Sequence, residues 1–155
     1  MKVLGIIVII LLVVGLLAYI IMAILSQKQP DNLGLQHAML QSCPNSPNCV
    51  CSESHSQSDA QHFITPIVGN EKTWLKLKQL VSEQGGVIQL EHDNYMHFTF
   101  STPIFHYVDD VEFRFDRSEG LIHMRSASRI GRSDFGVNRK RMESIKKALG
   151  GHNEH

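Results

Sequence analysis

A chain of 155 residues with a formal net charge of zero, histidines counted neutral, is sized for one domain. That balance excludes a protein whose whole surface is built to meet nucleic acid or anionic lipid. The first 25 or so residues are too apolar for a water-soluble core, which leaves roughly 125 residues, enough for one hydrophobic core without a further staple.

After a two-residue tail (1–2), Val3–Leu25 is an unbroken run of apolar residues and glycine with one tyrosine, Tyr19. As a helix rising about 1.5 Å per residue it is long enough to cross a hydrocarbon layer of about 30 Å. A cleaved secretory signal has an apolar region of only about 7–15 residues and ends in small residues around the cut. This run is longer and ends Ala23-Ile24-Leu25-Ser26, so a single-pass transmembrane helix is expected. Lys2 and the α-amino group stand on one side, and Lys28 with Asp31 on the other. The positive-inside bias then favours a cytoplasmic N-terminus and an outward-facing domain, periplasmic in a bacterium and attached to its inner membrane.

Residues 26–41 are polar and mixed and read as a linker, and residues 42–150 as the soluble domain. The domain opens on Cys43-Pro-Asn-Ser-Pro-Asn-Cys49-Val-Cys51, a loop in which proline and asparagine hold the backbone in bends. Such bends bring Cys43 and Cys49 within reach of a disulfide, with Cys43–Cys51 as the alternative. Outside the cytoplasm the bond would persist. A metal site using Cys49, Cys51, His55 and His62 matches none of the paired spacings that zinc uses, and no metal or other cofactor is expected.

Phe63–Val68 reads as a short strand. Asn70 suits a helix cap, and Trp74, Leu77, Leu80, Val81 and Gln84 fall on one face of a helix stopped by Gly85-Gly86. Two hairpins follow. A turn at Asp93-Asn94 pairs His92 with Tyr95 and brings Val87 opposite Phe100. A loop over Arg117–Gly120 sets Phe115 opposite Ile122, Phe113 opposite Met124 and Val111 opposite Ser126 on one face, and Glu112 opposite Arg125 and Arg114 opposite His123 on the other. Taken as exposed, the Glu112–Arg125 pair would contribute under about 1 kcal/mol. After a loop at 127–133, Asn138, Met142, Ile145 and Leu149 lie on one face of a last helix, followed by a short tail (151–155). The expected architecture is α+β, an antiparallel sheet of about five strands with two helices packed on one face.

From Tyr107 to Glu119 there are five acids against two arginines, whereas Gly120 to Arg141 carries six basic residues against one acid, Asp134. Three readings of this basic stretch follow. In the first, Ser133 or Asp134 caps the last helix while the arginines pair with Asp109, Asp110 and Glu112. In the second, the helix N-terminus with Arg125, Ser126, Arg129, Arg132, Ser133, Asp134, Asn138 and Arg139 receives an anionic ligand or an envelope partner, Gly131 and Gly136 allowing close approach. The third is a small hydrolase or metal-dependent enzyme assembled from Asp109, Asp110, Ser126, Ser128, Ser133 and His106 or His123. Adjacent strand residues point to opposite faces, however, and no hydrolase elbow, zincin helix or P-loop is present. These features favour a non-catalytic envelope binding or scaffolding module, with membrane contact through the N-terminal helix and no nucleic-acid partner.

Three motifs carry a resemblance: C-P-x-S-P-N-C-V-x-S at the start of the domain, D-D-V-E-F-R in its middle, and R-S-A-S-R-I-G-R-S-D-F-G-V-N-R-K-R near its end. Over roughly Gln41 to Leu149 the chain resembles the family catalogued as domain of unknown function 1499. Cys51 stands where that pattern has serine. The resemblance implies a small bacterial domain, often membrane-anchored or exported, with relatives in chloroplast-bearing organisms and no established reaction.

Overall fold

The computed structural model describes Lys2–Gly150. Met1 and the expected tail at 151–155 lie outside the described residues. The apolar run forms one helix, α1 (Lys2–Gln27), long and apolar enough to cross a membrane, with its hydrophobic side chains exposed.

The polar segment after α1 holds two short strands, β1 (Leu35–Gln36) and β2 (Met39–Leu40), joined by a turn with His37 and Ala38 both at positive φ. Next come β3 (Cys49–Cys51), a 3-10 turn at Ser54–Ser56 and β4 (Ile67–Val68). Helix α2 (Glu71–Glu83) is capped by Asn70, whose side chain accepts from the Thr73 amide at 3.1 Å. Gly85 ends it at φ +92, and a Cβ on Gly86 would meet Val81 at 2.7 Å, so both glycines are required there. The hairpins are β5 (Val87–His92) with β6 (Tyr95–Ser101), and β7 (Val108–Asp116) with β8 (Leu121–Ser128), and α3 (Val137–Gly150) closes the fold.

The architecture is α+β. Six strands form the main sheet in the order β3-β8-β7-β6-β5, and β4 also pairs with β8 beyond the end of β3. The β7–β8 register is the expected one, with Glu112 opposite Arg125 and Phe113 opposite Met124. The β5–β6 register is not. A bulge between Ile88 and Leu90 brings Val87 opposite Thr99 instead of Phe100. Every β5 residue is exposed, so no buried face pins that strand. The first expected strand also shrinks to Ile67–Val68, with Phe63 making only an isolated bridge to Cys51, and β8 runs on to Ser128.

One sheet face carries Met96, Phe98, Val111, Phe113, Phe115, Ile122 and Met124. These pack against Trp74, Leu77 and Val81 of α2 and Met142, Ile145 and Leu149 of α3. Trp74 stacks on Phe115 with centroids 5.8 Å apart, placing it as a core anchor. The other face, expected to be solvated, is covered by the strap from the end of α1 through β3 to Glu53. Leu40 and Cys51 bury themselves there against Tyr95.

Cys43 and Cys49 form a disulfide with Cα atoms 5.6 Å apart, and Cys51 is a free, buried thiol. The bond staples the strap next to β3. Reduction, or a Cys43→Ser/Cys49→Ser variant, is expected to cost about 2 kcal/mol because the closed loop is short. Urea unfolding with and without reductant measures this; coincident midpoints would remove the bond from the stability account.

Candidate functional site

Alternation along β6, β7 and β8 turns His97, Asp110, Glu112, Arg114, His123 and Arg125 to the strap side of the sheet. Under the strap these groups sort into three ionic clusters. Glu112, 0% exposed, accepts from Arg125 Nη1 at 2.7 Å, Tyr95 Oη at 2.8 Å and the Gly34 amide at 2.7 Å. Glu53, carried in by the strap, takes a two-pronged contact from Arg114 (2.8 and 3.0 Å) and the Leu40 amide at 3.0 Å. Asp110 takes a two-pronged contact from Arg129 (2.9 and 2.8 Å) and approaches His97 Nε2 at 2.8 Å. The first pair therefore differs from the exposed pair read off the strand pattern: Arg125 is 1% exposed, because the strap excludes water from this face.

A fourth cluster lies on the helix side. Arg141 donates to Asp109 at 2.7 Å and stacks over the Phe100 ring at 4.5 Å. Ser126 hydrogen-bonds to Asn138, whose amide nitrogen also reaches the Asn48 carbonyl at 3.0 Å and Ser128 at 2.9 Å. Asp109 and Asp110 thus face opposite sides of the sheet and belong to different networks.

At the start of α3 the polar groups are satisfied from within. Asp134 accepts from the Gly136 and Asn138 amides at 3.0 and 2.7 Å, and Ser133 from the Phe135 amide at 3.2 Å. An anion at this helix end would have to displace the Asp134 carboxylate. Arg139 is turned inward to the carbonyls of Phe63 and Gln61, both at 2.9 Å. Arg132 and Lys140 remain exposed, as does Phe135, which is 89% exposed at φ +54.

The anion-binding candidates are therefore split three ways. Ser126 and Asn138 are buried on the helix side, Arg125 and Arg129 sit under the strap, and Arg132 and Ser133 are on the surface. Between strap and β8 lies a cavity of about 230 Å³ walled by Asn32, Asn48, Asp110, Arg125 and Arg129 among others. Among the described residues, Arg125 Nε is the one buried side-chain N or O atom without a hydrogen-bond partner. Glu53, His97 and Tyr95 were not singled out from the sequence. Their signal was a whole row of ionisable residues on one face of adjacent strands, which solvation alone does not require.

Two carboxyls of β7 are shifted. Burial raises the Asp110 carboxyl, but hydrogen bonds from His97 and Arg129 outweigh it and hold the group below the ordinary carboxylate range. The Ser118 hydroxyl and Arg114 pull Asp116 down to about 2. A depressed carboxyl contributes stability that is present above the unfolded value near pH 4 and lost as pH falls through the folded one. Thermal stability of the domain is therefore expected to fall between about pH 4 and pH 2. Asp110→Asn should flatten that slope in calorimetric melts; an unchanged slope would put the acid sensitivity elsewhere.

Among the described residues no three His, Cys, Asp or Glu side chains gather as a metal ion would require. Cys51 Sγ lies 3.9 Å from His55 Nε2, and burial pushes its thiol up, away from the reactive thiolate. No curated protein and no solved structure matches the chain. Residues 39–149, from β2 into the last turn of α3, match the model described as Protein of unknown function (DUF1499), and the chain belongs to that family.

Proposed function

We propose that this is a single-pass protein of the bacterial inner membrane with its N-terminus in the cytoplasm. Its periplasmic domain is a non-catalytic binding or scaffolding module of the envelope that receives an anionic group of a ligand or partner in the cavity between strap and β8. The observation that carries this reading is that the cavity is lined by two arginines, Arg129 and the buried Arg125, whose Nε has no hydrogen-bond partner. A buried guanidinium with an N–H left without an acceptor is costly, and two guanidinium groups lining one cavity favour an oxygen anion there. The long apolar α1 and the Cys43–Cys49 disulfide support the topology, since such a bond persists outside the cytoplasm. Scaffolding rather than catalysis fits a site whose carboxylates are each held by an internal arginine.

Inorganic phosphate serves as the probe, at ionic strength matched with chloride, on the full chain in detergent micelles. Phosphate is expected to raise the melting temperature in a saturable way, as a ligand selective for the folded state must. Arg129→Gln should abolish the rise. A melting temperature unmoved by phosphate in the wild type would overturn the anion site, and an equal rise in Arg129→Gln would place binding elsewhere.

A further inference from the structure

The β6–β7 connection, residues 102–107, is the longest link within the hairpins, and it carries two large exposed hydrophobic residues at its tip. Ile104 is 73% exposed and Phe105 47%. The connection does not project into open solvent. The Tyr19 hydroxyl of α1 donates to the Ile104 carbonyl at 3.0 Å, and the Tyr19 and Phe105 rings meet edge to face with centroids 5.8 Å apart. Phe105 in turn stacks on Tyr107 at 5.4 Å. Nearer the end of α1, the Gln27 side chain donates to the His106 carbonyl at 3.0 Å and Ser26 Oγ accepts from the Val108 amide at 2.7 Å.

Tyr19 lies inside the apolar run, about 9 Å of helix rise before Leu25. A ring in contact with Tyr19 sits at that same level, below the end of the apolar surface of α1. Much of the connection's backbone, though not the Ile104 and Phe105 amides at its tip, is hydrogen-bonded within the protein. Pro103 has no N–H to satisfy. The Thr102 amide donates to the Tyr107 carbonyl at 2.9 Å, the His106 amide to the Thr102 carbonyl at 3.0 Å, and the Tyr107 amide to Thr102 Oγ1 at 3.0 Å. Two of its outward carbonyls, Ile104 and His106, are those taken by Tyr19 and Gln27. Irregular backbone is tolerated at membrane depth where its polar groups are satisfied by protein.

We propose that the β6–β7 tip is a second membrane contact, in which Ile104 and Phe105 enter the acyl-chain boundary of the bilayer beside α1 and seat the domain on the membrane in one fixed orientation. The occupant is lipid, because the exposed tip is continuous with the apolar surface of α1 at Tyr19. The inference rests on the reading of α1 as a membrane anchor. Strand β7 starts at the membrane, at Val108, and carries the chain about 26 Å away to Asp116. Val68, 80% exposed, pairs with Leu121, which pairs with Asp116, so it marks the distal end of the domain.

The test uses the full chain in vesicles of phosphatidylcholine and phosphatidylglycerol, with an environment-sensitive fluorophore on single introduced cysteines. Cys51 is 0% exposed and Cys43 is bonded to Cys49, so the label goes to Ile104→Cys, Leu12→Cys or Val68→Cys. The Ile104→Cys probe is expected to emit blue-shifted light and to lose intensity to lipids carrying a quencher high on the acyl chain. The Leu12→Cys probe should respond to a deep quencher, and Val68→Cys to aqueous iodide only. A water-like Ile104→Cys probe beside a lipid-quenched Leu12→Cys probe overturns this inference while leaving the anchor intact. If the Leu12→Cys probe also escapes lipid quenching, the anchor reading falls and takes the inference with it. A blue-shifted Ile104→Cys probe that no lipid quencher reaches would mean that protein covers the tip, and the proposal would be wrong.

Discussion

Glu112→Ala is expected to destabilise the soluble domain by about 3–5 kcal/mol, the range for breaking a buried ion pair by removing one partner. The reason lies in what remains. Arg125 is 1% exposed and already has one unpartnered N–H, so losing Glu112 leaves its charge buried with no acid beside it. Gly34 N and the Tyr95 hydroxyl lose their shared acceptor at the same time. Glu112→Gln keeps an acceptor oxygen while deleting the charge, and should lie between wild type and alanine. Glu112→Leu with Arg125→Met removes both charges, and is expected to be less destabilised than Glu112→Ala although the two hydrogen bonds are still missing. Urea unfolding of wild type, Glu112→Leu, Arg125→Met and the double variant gives the coupling. A coupling below about 0.5 kcal/mol would show the pair to be screened by water and the strap to be a poor seal.

Glu53→Ala should cost a comparable amount, about 3–5 kcal/mol, with a different spatial signature. Glu53 belongs to the strap, and its carboxylate joins the strap to the sheet through Arg114 and to β2 through the Leu40 amide. Removing it leaves the Arg114 guanidinium with Asp116 as its remaining acid, at 3.1 Å, and the Leu40 amide without its acceptor, on opposite sides of one seam. Hydrogen exchange is therefore expected to accelerate first in residues 34–53 and only later in β6, β7 and β8. Glu112→Ala, whose lost partner lies within the sheet, should accelerate exchange in β7 and β8 as well. Uniform acceleration in Glu53→Ala would show that strap and sheet open together rather than as separate units.

What was readable in the chain before any coordinates follows from which segments bury a face. Strands β7 and β8 alternate apolar and polar residues around a short loop, so one register satisfies both and a shift of one residue would invert every side chain. The buried face of α3, Asn138, Met142, Ile145 and Leu149, is likewise a helical repeat. The bulge in β5 had no such marker, because a strand exposed on both faces pays little for a slip. The strap was unreadable for another reason. Its strands are two or three residues long, too short for any period, and its turn places His37 and Ala38 at positive φ, where Asn-Gly would have announced it. Hence the covered face of the sheet went unseen, and with it the burial of Arg125. The cap at the start of α3, by contrast, is legible, since Ser133 and Asp134 precede the helical repeat and Asp134 accepts from the Gly136 and Asn138 amides.

The odd thiol has a bearing on biosynthesis. Cys51 is two residues from Cys49 in the chain and yet sealed beneath Leu40 once β3 has paired with β8. In the proposed periplasmic topology, a nascent chain exposes all three sulfurs before β8 has emerged, and Cys43 is then free to close on either neighbour. The wrong closure places a cross-link across the strand that must later zip onto Ala127, Ser126 and Arg125. A chain closed Cys43–Cys51 must exchange that bond before the last hairpin docks, so a thiol-disulfide isomerase is expected to raise the yield of wild type and to do little for Cys51→Ser.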